Sequence, residues 1–94
     1  MIDLQAELLQ VYGKVQGVFY RKSTKETADK IGLKGWVRNK ADGSVEIFAE
    51  GSTSQIEELK AWSKKGPAQA EVQEVISEGK EAQFYKSFEI EYSH

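Results

Sequence analysis

The stretch GWVRNKADGSVEIFAE, Gly35–Glu50, carries the clearest secondary-structure signal in the chain. Its Asp42-Gly43 pair is typical of a tight turn between two antiparallel strands. After the turn, small apolar residues alternate with two Glu and one Phe over residues 45–50, which is the period of a strand with one buried face. The stretch therefore predicts a β-hairpin with Val45 and Ile47 directed toward the core.

The residues before the hairpin predict a strand followed by a helix. Leu4–Tyr12 is rich in apolar residues and ends at Gly13, which favours a strand. Residues 20–31 carry an apolar stripe at helical spacing, and Gly32 marks the end of that helix.

The residues after the hairpin predict a second helix and two more strands. Ser52, Thr53 and Ser54 are candidate helix caps, and Ser54 and Glu57 have the spacing of a capping box, which favours a helix start at this point. The helical stripe that follows ends at the pair Gly66-Pro67. Alternating residues then predict strands at about 70–77 and 87–92.

The predicted order is β-α-β-β-α-β with a terminal strand. This order is typical of a ferredoxin-like two-layer α+β sandwich, in which two helices pack on one face of a mainly antiparallel sheet. A chain of 94 residues suits one domain with a single core, and we expect Trp36 and Trp62 in or beside that core. Because many unrelated activities use this fold, the order of elements alone does not indicate a function.

The composition excludes several classes of function. A net charge of −2 and a pI of about 5.4 argue against broad binding to nucleic acid or an anionic membrane. The chain has no cysteine and one histidine, His94, so disulfides are excluded and a histidine-based metal site is disfavoured. No apolar run approaches the roughly 20 residues of a membrane span, and the first residues do not resemble a signal peptide. We therefore expect a cytoplasmic protein that needs no cofactor.

The segment GKVQGVFYR, Gly13–Arg21, is the first candidate for a functional site. Its two glycines allow a tight loop between strand and helix, and such a loop can turn successive N–H groups toward one centre. The start of the helix adds partial positive charge, a combination that binds phosphate or carboxylate. The planar guanidinium of Arg21 can grip two oxygens of a phosphate. From spacing alone, an ordinary glycine turn with a solvent-facing arginine is the commoner structure.

Asn39 is the second candidate, because it ends a predicted strand just before the hairpin turn. In isolation, the commoner role of such a residue is to bond its own backbone in the turn. If the hairpin lies beside the first strand, however, Asn39 and the glycine loop meet at one end of the sheet. An amide there can orient a water molecule, although it is too weakly basic to remove a proton.

Three motifs together resemble those of the acylphosphatase family. They are GKVQGVFYR at 13–21, GWVRN at 35–39 and DGSVE at 42–46. The resemblance extends over roughly residues 7–92, and the pairing of the first two motifs is highly specific. It implies one acylphosphatase-like domain over residues 1–94, which hydrolyses a small-molecule acyl phosphate to a carboxylate and inorganic phosphate without a metal ion.

The resemblance also implies roles for individual residues. Arg21 matches the phosphate-binding arginine of the family, and Asn39 matches the asparagine that positions the attacking water. The segment before Arg21 matches a phosphate-binding loop whose backbone N–H groups, from about Lys14 to Tyr20, act as donors. The residues of this loop are Gly13, Lys14, Val15, Gln16, Gly17, Val18, Phe19 and Tyr20.

Other modules share the predicted fold. An RNA-recognition module needs aromatic residues on an open sheet face, and Phe48 is flanked by Glu46 and Glu50, which we expect to be solvated and to repel phosphate. A phosphate sensor with an inactive site is disfavoured by the presence of both Arg21 and Asn39. A domain acting on a protein-bound or carbamoyl substrate is the third alternative, as in related domains of larger proteins. We expect a monomeric enzyme with no nucleic acid or membrane partner.

Overall fold

The computed structural model describes residues 3–92. Five strands and two helices follow one another in the predicted order, which is confirmed. They are β1 (Gln5–Lys14), α1 (Tyr20–Ile31), β2 (Lys34–Asn39), β3 (Val45–Gly51), α2 (Thr53–Ser63), β4 (Glu71–Lys80) and β5 (Phe88–Glu91). None of the helices in this part of the chain is both long and apolar enough to cross a membrane.

The five strands form one sheet in the order β4-β1-β3-β2-β5. The neighbours are antiparallel except β2 and β5, which run parallel. Val45, at the start of β3, pairs with Val11 of β1 on one side and with Asn39 of β2 on the other. This register brings the C-terminal end of β1 and the C-terminal end of β2 to the same edge of the sheet.

The core lies between the helices and one face of the sheet. Val45, Ile47 and Ala49 are fully buried there, so the alternation predicted for the hairpin is confirmed. Ile56 and Leu59 of α2 pack against the same cluster. Complete burial of a large aliphatic side chain contributes about 1.5–3 kcal/mol, so this cluster is a major source of stability.

Helix α1 has few aliphatic residues and packs through a different set of contacts. Its buried residues are Tyr20, Thr24 and Ala28. The hydroxyl of Tyr20 donates a hydrogen bond to the carbonyl of Ser63 in α2 at 2.8 Å, and its ring lies 5.3 Å from that of Trp62. Burial raises the pKa of the Tyr20 phenol, which therefore stays protonated as a donor. This contact fixes the N-terminal end of α1 to the second helix.

The capping box of α2 differs from the predicted one. Ser52 and Gln55 form it, not Ser54 and Glu57. The backbone N–H of Gln55 donates to the Ser52 hydroxyl, and the N–H of Ser52 donates to the Gln55 side chain at 2.8 Å. The prediction was wrong because Ser52 has extended backbone angles, so the helix starts at Thr53 and Gln55 occupies the third helical position.

Glu46 and Glu50 were expected in solvent, and this expectation was wrong. On the face of the sheet opposite the helices, their side chains are buried, with only 6% and 2% of each residue exposed. Burial alone would raise the pKa of Glu46. Hydrogen bonds from Gln10 and Arg38, with the positive charge of Arg38, outweigh that effect and hold the pKa of Glu46 below its usual value.

The carboxylate of Glu50 holds the segment before β5 across this outer face. It accepts hydrogen bonds from the backbone N–H groups of residues 83–85. The rings of Tyr85 and Phe48 pack in a T-shaped arrangement with their centres 5.7 Å apart, and Trp36 stacks on Phe48 with a centre-to-centre distance of 5.9 Å. Phe48 is therefore 7% exposed and does not form the open aromatic surface that RNA recognition requires.

We expect the substitution Glu46→Gln to flatten the acid dependence of stability. Because folding lowers the pKa of Glu46, its ionised carboxylate contributes fully to the free energy of unfolding above pH 4.5, the ordinary pKa. This contribution is lost as the pH falls through the lower pKa of the folded state. Urea unfolding at neutral pH should show a loss of about 1–3 kcal/mol for the variant, and this difference should shrink in acid. Glu74→Gln, on the exposed strand β4, is the control. An equal loss at both pH values would contradict this assignment.

Candidate active site

The loop between β1 and α1 spans residues 15–19 and follows a shift in the pairing of β1 with β4 between Tyr12 and Gly13. The φ angle of Gly13 is 127°, and a Cβ atom there would lie 2.2 Å from the carbonyl oxygen of Glu71. Gly17 also has a positive φ of 74°. Only glycine fits the first position, and glycine is strongly favoured at the second, so the loop depends on the two glycines of the motif.

The loop and the first turn of α1 line one side of a cleft of about 300 Å³. Asn39, at the end of β2, lies in the same cleft, as do two residues from the C-terminal part of the chain. The lining residues are Val15, Gly17, Phe19, Tyr20, Arg21, Lys22, Asn39, Ile90 and Tyr92.

The start of α1 gives the cleft a positive character. Phe19 is the N-cap residue, it makes no side-chain capping bond, and no acidic residue lies in the first turn. The first N–H groups of a helix have no partner within the helix, and they carry partial positive charge. Arg21 and Lys22 add two full charges at the same place. These groups together favour a bound anion over a bound cation.

The guanidinium of Arg21 lies against an aromatic ring. Its central carbon is 5.1 Å from the centre of the Tyr92 ring, within the range of a cation–π interaction. Tyr92, the last of the described residues, therefore helps to hold the guanidinium of Arg21 in place.

The side chain of Gln16 joins the loop to the β2–β3 turn. Its amide nitrogen donates to the carbonyl of Lys40 at 2.8 Å and to that of Ser44 at 2.9 Å. The turn is itself ordered, because the backbone N–H and hydroxyl of Ser44 both donate to the carboxylate of Asp42, which lowers the pKa of that carboxyl. Gln16 thus holds the loop beside the residue that follows Asn39.

Strand β5 brings Ile90 to the cleft, and Tyr92 follows directly after the strand. It pairs in parallel with β2, where Val37 lies opposite Ile90. The ammonium group of Lys25 in α1 donates to the carbonyl of Phe88 at 2.8 Å, which joins the helix to the start of β5. The cleft is therefore bounded by residues from the loop, α1, β2 and the C-terminal segment.

Most of the predicted site residues line the cleft. These are Val15, Gly17, Phe19, Tyr20, Arg21 and Asn39. The other four lie elsewhere: Gly13 and Lys14 are the last residues of β1, Val18 is buried in the core, and Gln16 bonds to the hairpin turn. Those four residues support the loop without lining the cleft.

Sequence reasoning missed the side chain of Gln16 and the contribution of Ile90 and Tyr92. The last strand was predicted, and its alternation places Ile90 and Tyr92 on one face. Nothing in the local sequence, however, indicates that this strand pairs with β2. That pairing joins residues about 50 positions apart, so only the topology shows that Tyr92 reaches Arg21.

The fold and the cleft define a small ferredoxin-like domain with a cationic site at one end of its sheet. The family model for acylphosphatase matches residues 8–90. An acylphosphatase of Acaryochloris marina is 48% identical over 80 residues, which cover 85% of this chain and 86% of that protein. An acylphosphatase of Marinobacter nauticus is 53% identical over 70 residues, covering 74% and 76%. The structure of an acylphosphatase from Coxiella burnetii matches with a TM-score of 0.92 and 37% identity, covering 95% of this chain and 94% of that one.

The chain therefore belongs to the acylphosphatase family, which confirms the resemblance found in its motifs. Its activity is that of an acylphosphatase, the hydrolysis of acyl phosphates.

We expect the substitution Gln16→Leu to reduce kcat/KM for benzoyl phosphate by about tenfold to a hundredfold. Leucine retains the size of the side chain but cannot donate to the carbonyls of Lys40 and Ser44, so the loop loses its connection to the hairpin. Steady-state kinetics measure the effect, with circular dichroism as the check on folding. The control is Gln73→Leu on the exposed strand β4. Wild-type kinetics for Gln16→Leu would show that these bonds do not position the loop.

Proposed function

We propose that this enzyme cleaves the carboxyl–phosphate bond of an acyl phosphate with the phosphoryl group held by the loop, the start of α1 and Arg21. Asn39 orients the attacking water, and no metal ion takes part. One observation carries the proposal: Arg21 and Asn39 come from different elements and line the same cleft, at the N-terminal end of a helix.

The phosphoryl group is the part of the substrate that this cleft suits best. The loop residues 15–19 and the first turn of α1 offer backbone N–H donors, and the guanidinium of Arg21 offers a planar pair of donors for two oxygens. In phosphoryl transfer, negative charge is spread over the three equatorial oxygens in the transition state. Donors fixed in place before reaction stabilise that charge without reorganisation.

The reaction replaces one bond to phosphorus with another. The oxygen of water forms a bond to phosphorus while the bond from phosphorus to the acyl oxygen breaks, which releases a carboxylate and inorganic phosphate. A carboxylate is a weak base, with a conjugate acid of pKa about 4, so it leaves without a general acid. The side-chain amide of Asn39 holds the water in line with the breaking bond.

A proton must leave the attacking water, and the substrate is the acceptor that we propose. Among the cleft-lining residues within 3–92, none is Asp, Glu or His. The hydroxyl of Tyr20 donates to the carbonyl of Ser63 and its pKa is raised, so it is not available as a base. A phosphoryl oxygen then takes the proton as the new bond forms.

Metal independence is part of the same proposal. Within residues 3–92, no three His, Cys, Asp or Glu side chains come together in a group suited to a metal ion. The cations needed to balance the phosphoryl charge are Arg21 and Lys22, both in the first turn of α1. Phosphate release from benzoyl phosphate in the presence of EDTA tests the reaction and its metal independence together.

We expect Arg21→Lys and Arg21→Ala to lose at least about a hundredfold in kcat. Lysine keeps the charge but not the planar pair of donors, so it should not restore activity. The assay is release of phosphate from benzoyl phosphate with EDTA present. Lys30→Ala is the control, since Lys30 is an exposed cation in the last turn of α1, at the opposite end of the helix from the cleft. Activity near that of wild type in Arg21→Lys would refute the role assigned to the guanidinium.

Asn39→Ala should lose about a hundredfold to a thousandfold in kcat and yet bind phosphate normally. The reason is that Asn39 acts on the water, whereas the loop and Arg21 bind the phosphoryl group. Kinetics give the first quantity, and competitive inhibition by inorganic phosphate gives the second. If the inhibition constant rose in proportion to the loss of kcat, Asn39 would belong to the phosphate site.

The monomeric state, the cytoplasmic location and the lack of a nucleic acid partner stay predictions. They are independent of the chemistry proposed for the cleft.

A further inference from the structure

Lys22 is, among the described residues, the one lysine that lines the cleft. It is exposed in the first turn of α1, directly after Arg21. Lys25, further along the same helix, pairs with the carboxylate of Asp29. The ammonium group of Lys22, by contrast, has no hydrogen-bond acceptor and no ion-pair partner within the part of the chain that the structure describes. It is therefore available to a ligand in the cleft.

Local stability does not explain a lysine at this position. Positive charge at the N-terminal end of a helix is unfavourable, and the first turn of α1 holds no acid to balance it. The planar pair of donors for the phosphoryl oxygens belongs to Arg21, so Lys22 adds charge without that geometry. Lysine has a second property that arginine lacks, because its unprotonated amine is a nucleophile. The cleft thus contains an amine beside the proposed phosphate-binding group.

An acyl phosphate offers two atoms to a nucleophile, the phosphorus and the carbonyl carbon. In the proposed hydrolysis, water attacks the phosphorus. The carbonyl carbon is joined to phosphorus through a single oxygen, so a phosphoryl group held at Arg21 brings this carbon into the same cleft. The flexible stem of Lys22 begins one residue further along the chain. Because a nucleophile held beside its target reacts far faster than one in free solution, the carbonyl carbon is exposed to attack by this amine.

We propose that Lys22 is a site of covalent acylation by the enzyme's own substrate. The unprotonated amine forms a bond to the carbonyl carbon, and the bond from that carbon to the bridging oxygen breaks. The departing phosphate takes the proton that the nitrogen gives up, so the products are an amide on Lys22 and inorganic phosphate. The inference rests on the proposed function, because the phosphoryl group must be held at Arg21 to bring the carbonyl carbon beside the amine.

Acylation changes the charge of the cleft. An acylated lysine is neutral, so Arg21 becomes the one cation among the described residues that line the cleft. The attraction for a phosphoryl group weakens, and kcat/KM should fall about threefold to tenfold. Prolonged exposure to a high concentration of acyl phosphate would thus lower the activity of the enzyme that consumes it.

Lys30 provides a matched control on the same helix. It is exposed, as Lys22 is, but it lies in the last turn of α1 and does not line the cleft. It also has no ion-pair partner among the described residues. Acylation of Lys30 therefore measures the reaction of an exposed lysine with acyl phosphate from solution, and any excess at Lys22 measures the effect of the cleft.

The experiment incubates the wild-type enzyme with repeated additions of acetyl phosphate and follows the acetylation of each lysine by peptide mass spectrometry. Lys22 should be acetylated at least about tenfold faster than Lys30 at the same pH. Excess inorganic phosphate, which competes for the phosphoryl site, should bring the rate at Lys22 down to the rate at Lys30. The variant Arg21→Ala should have the same effect, because it removes the group that holds the acyl phosphate in place.

The variant Lys22→Arg tests the effect on activity. Arginine keeps the charge but has no amine to acylate. Once Lys22 is fully acetylated and acetyl phosphate is removed, wild type should lose about threefold to tenfold in kcat/KM for benzoyl phosphate relative to its starting value. Lys22→Arg, treated in the same way, should retain its own starting value. An equal loss in both proteins would assign the effect to another residue and contradict the proposal.

Equal rates of acetylation at Lys22 and Lys30 would overturn the inference, and so would an excess at Lys22 that inorganic phosphate does not reduce. Release of phosphate from acetyl phosphate is measured in the same incubation. If wild type released none beyond spontaneous hydrolysis, the proposed function itself would fail, and the acylation site would fall with it.

Discussion

The geometry of the site depends on the pairing of β3 with two neighbours at once. Val45 lies between Val11 and Asn39, so the strand that leads into the loop and the strand that ends in Asn39 finish side by side. A shift of one residue in either register would turn the side chains of that strand to the opposite face of the sheet. Such a shift in β3 would remove its buried residues Val45, Ile47 and Ala49 from the core, so it is unfavourable. Core packing therefore fixes the position of the site.

The same end of the sheet contains several local features that oppose stability. Arg21 and Lys22 lie at the N-terminal end of α1, where positive charge is unfavourable, and no side chain caps that end. Phe19 has a left-handed backbone. Proteins usually depart from local structural preferences at functional sites. A bound phosphoryl group would make the positive charge at this helix end stabilising, because an anion is favoured where two cations and the first N–H groups of a helix meet.

Local signals predicted the fold well, and they predicted the site in part. The Asp42-Gly43 turn, the glycine after α1 and the alternation of β3 each act through adjacent residues, which a sequence displays directly. The failures involve partners that are distant in the chain. Glu46 and Glu50 were expected in solvent because the alternation of β3 shows only that they lie on the face of the sheet away from the core. It does not show that Arg38 and the backbone of residues 83–85 cover that face.

The buried carboxylates also bear on the site, through the outer face of the sheet. Arg38 and Asn39 are adjacent in β2, so their side chains point to opposite faces. The ion pair between Arg38 and Glu46, at 2.6 Å, links β2 to β3 on the outer face, one residue before Asn39. Gln16 holds the turn after Asn39 from the side of the loop. The end of β2 is thus restrained on both sides, although strand ends commonly fray, and the role proposed for Asn39 requires this restraint.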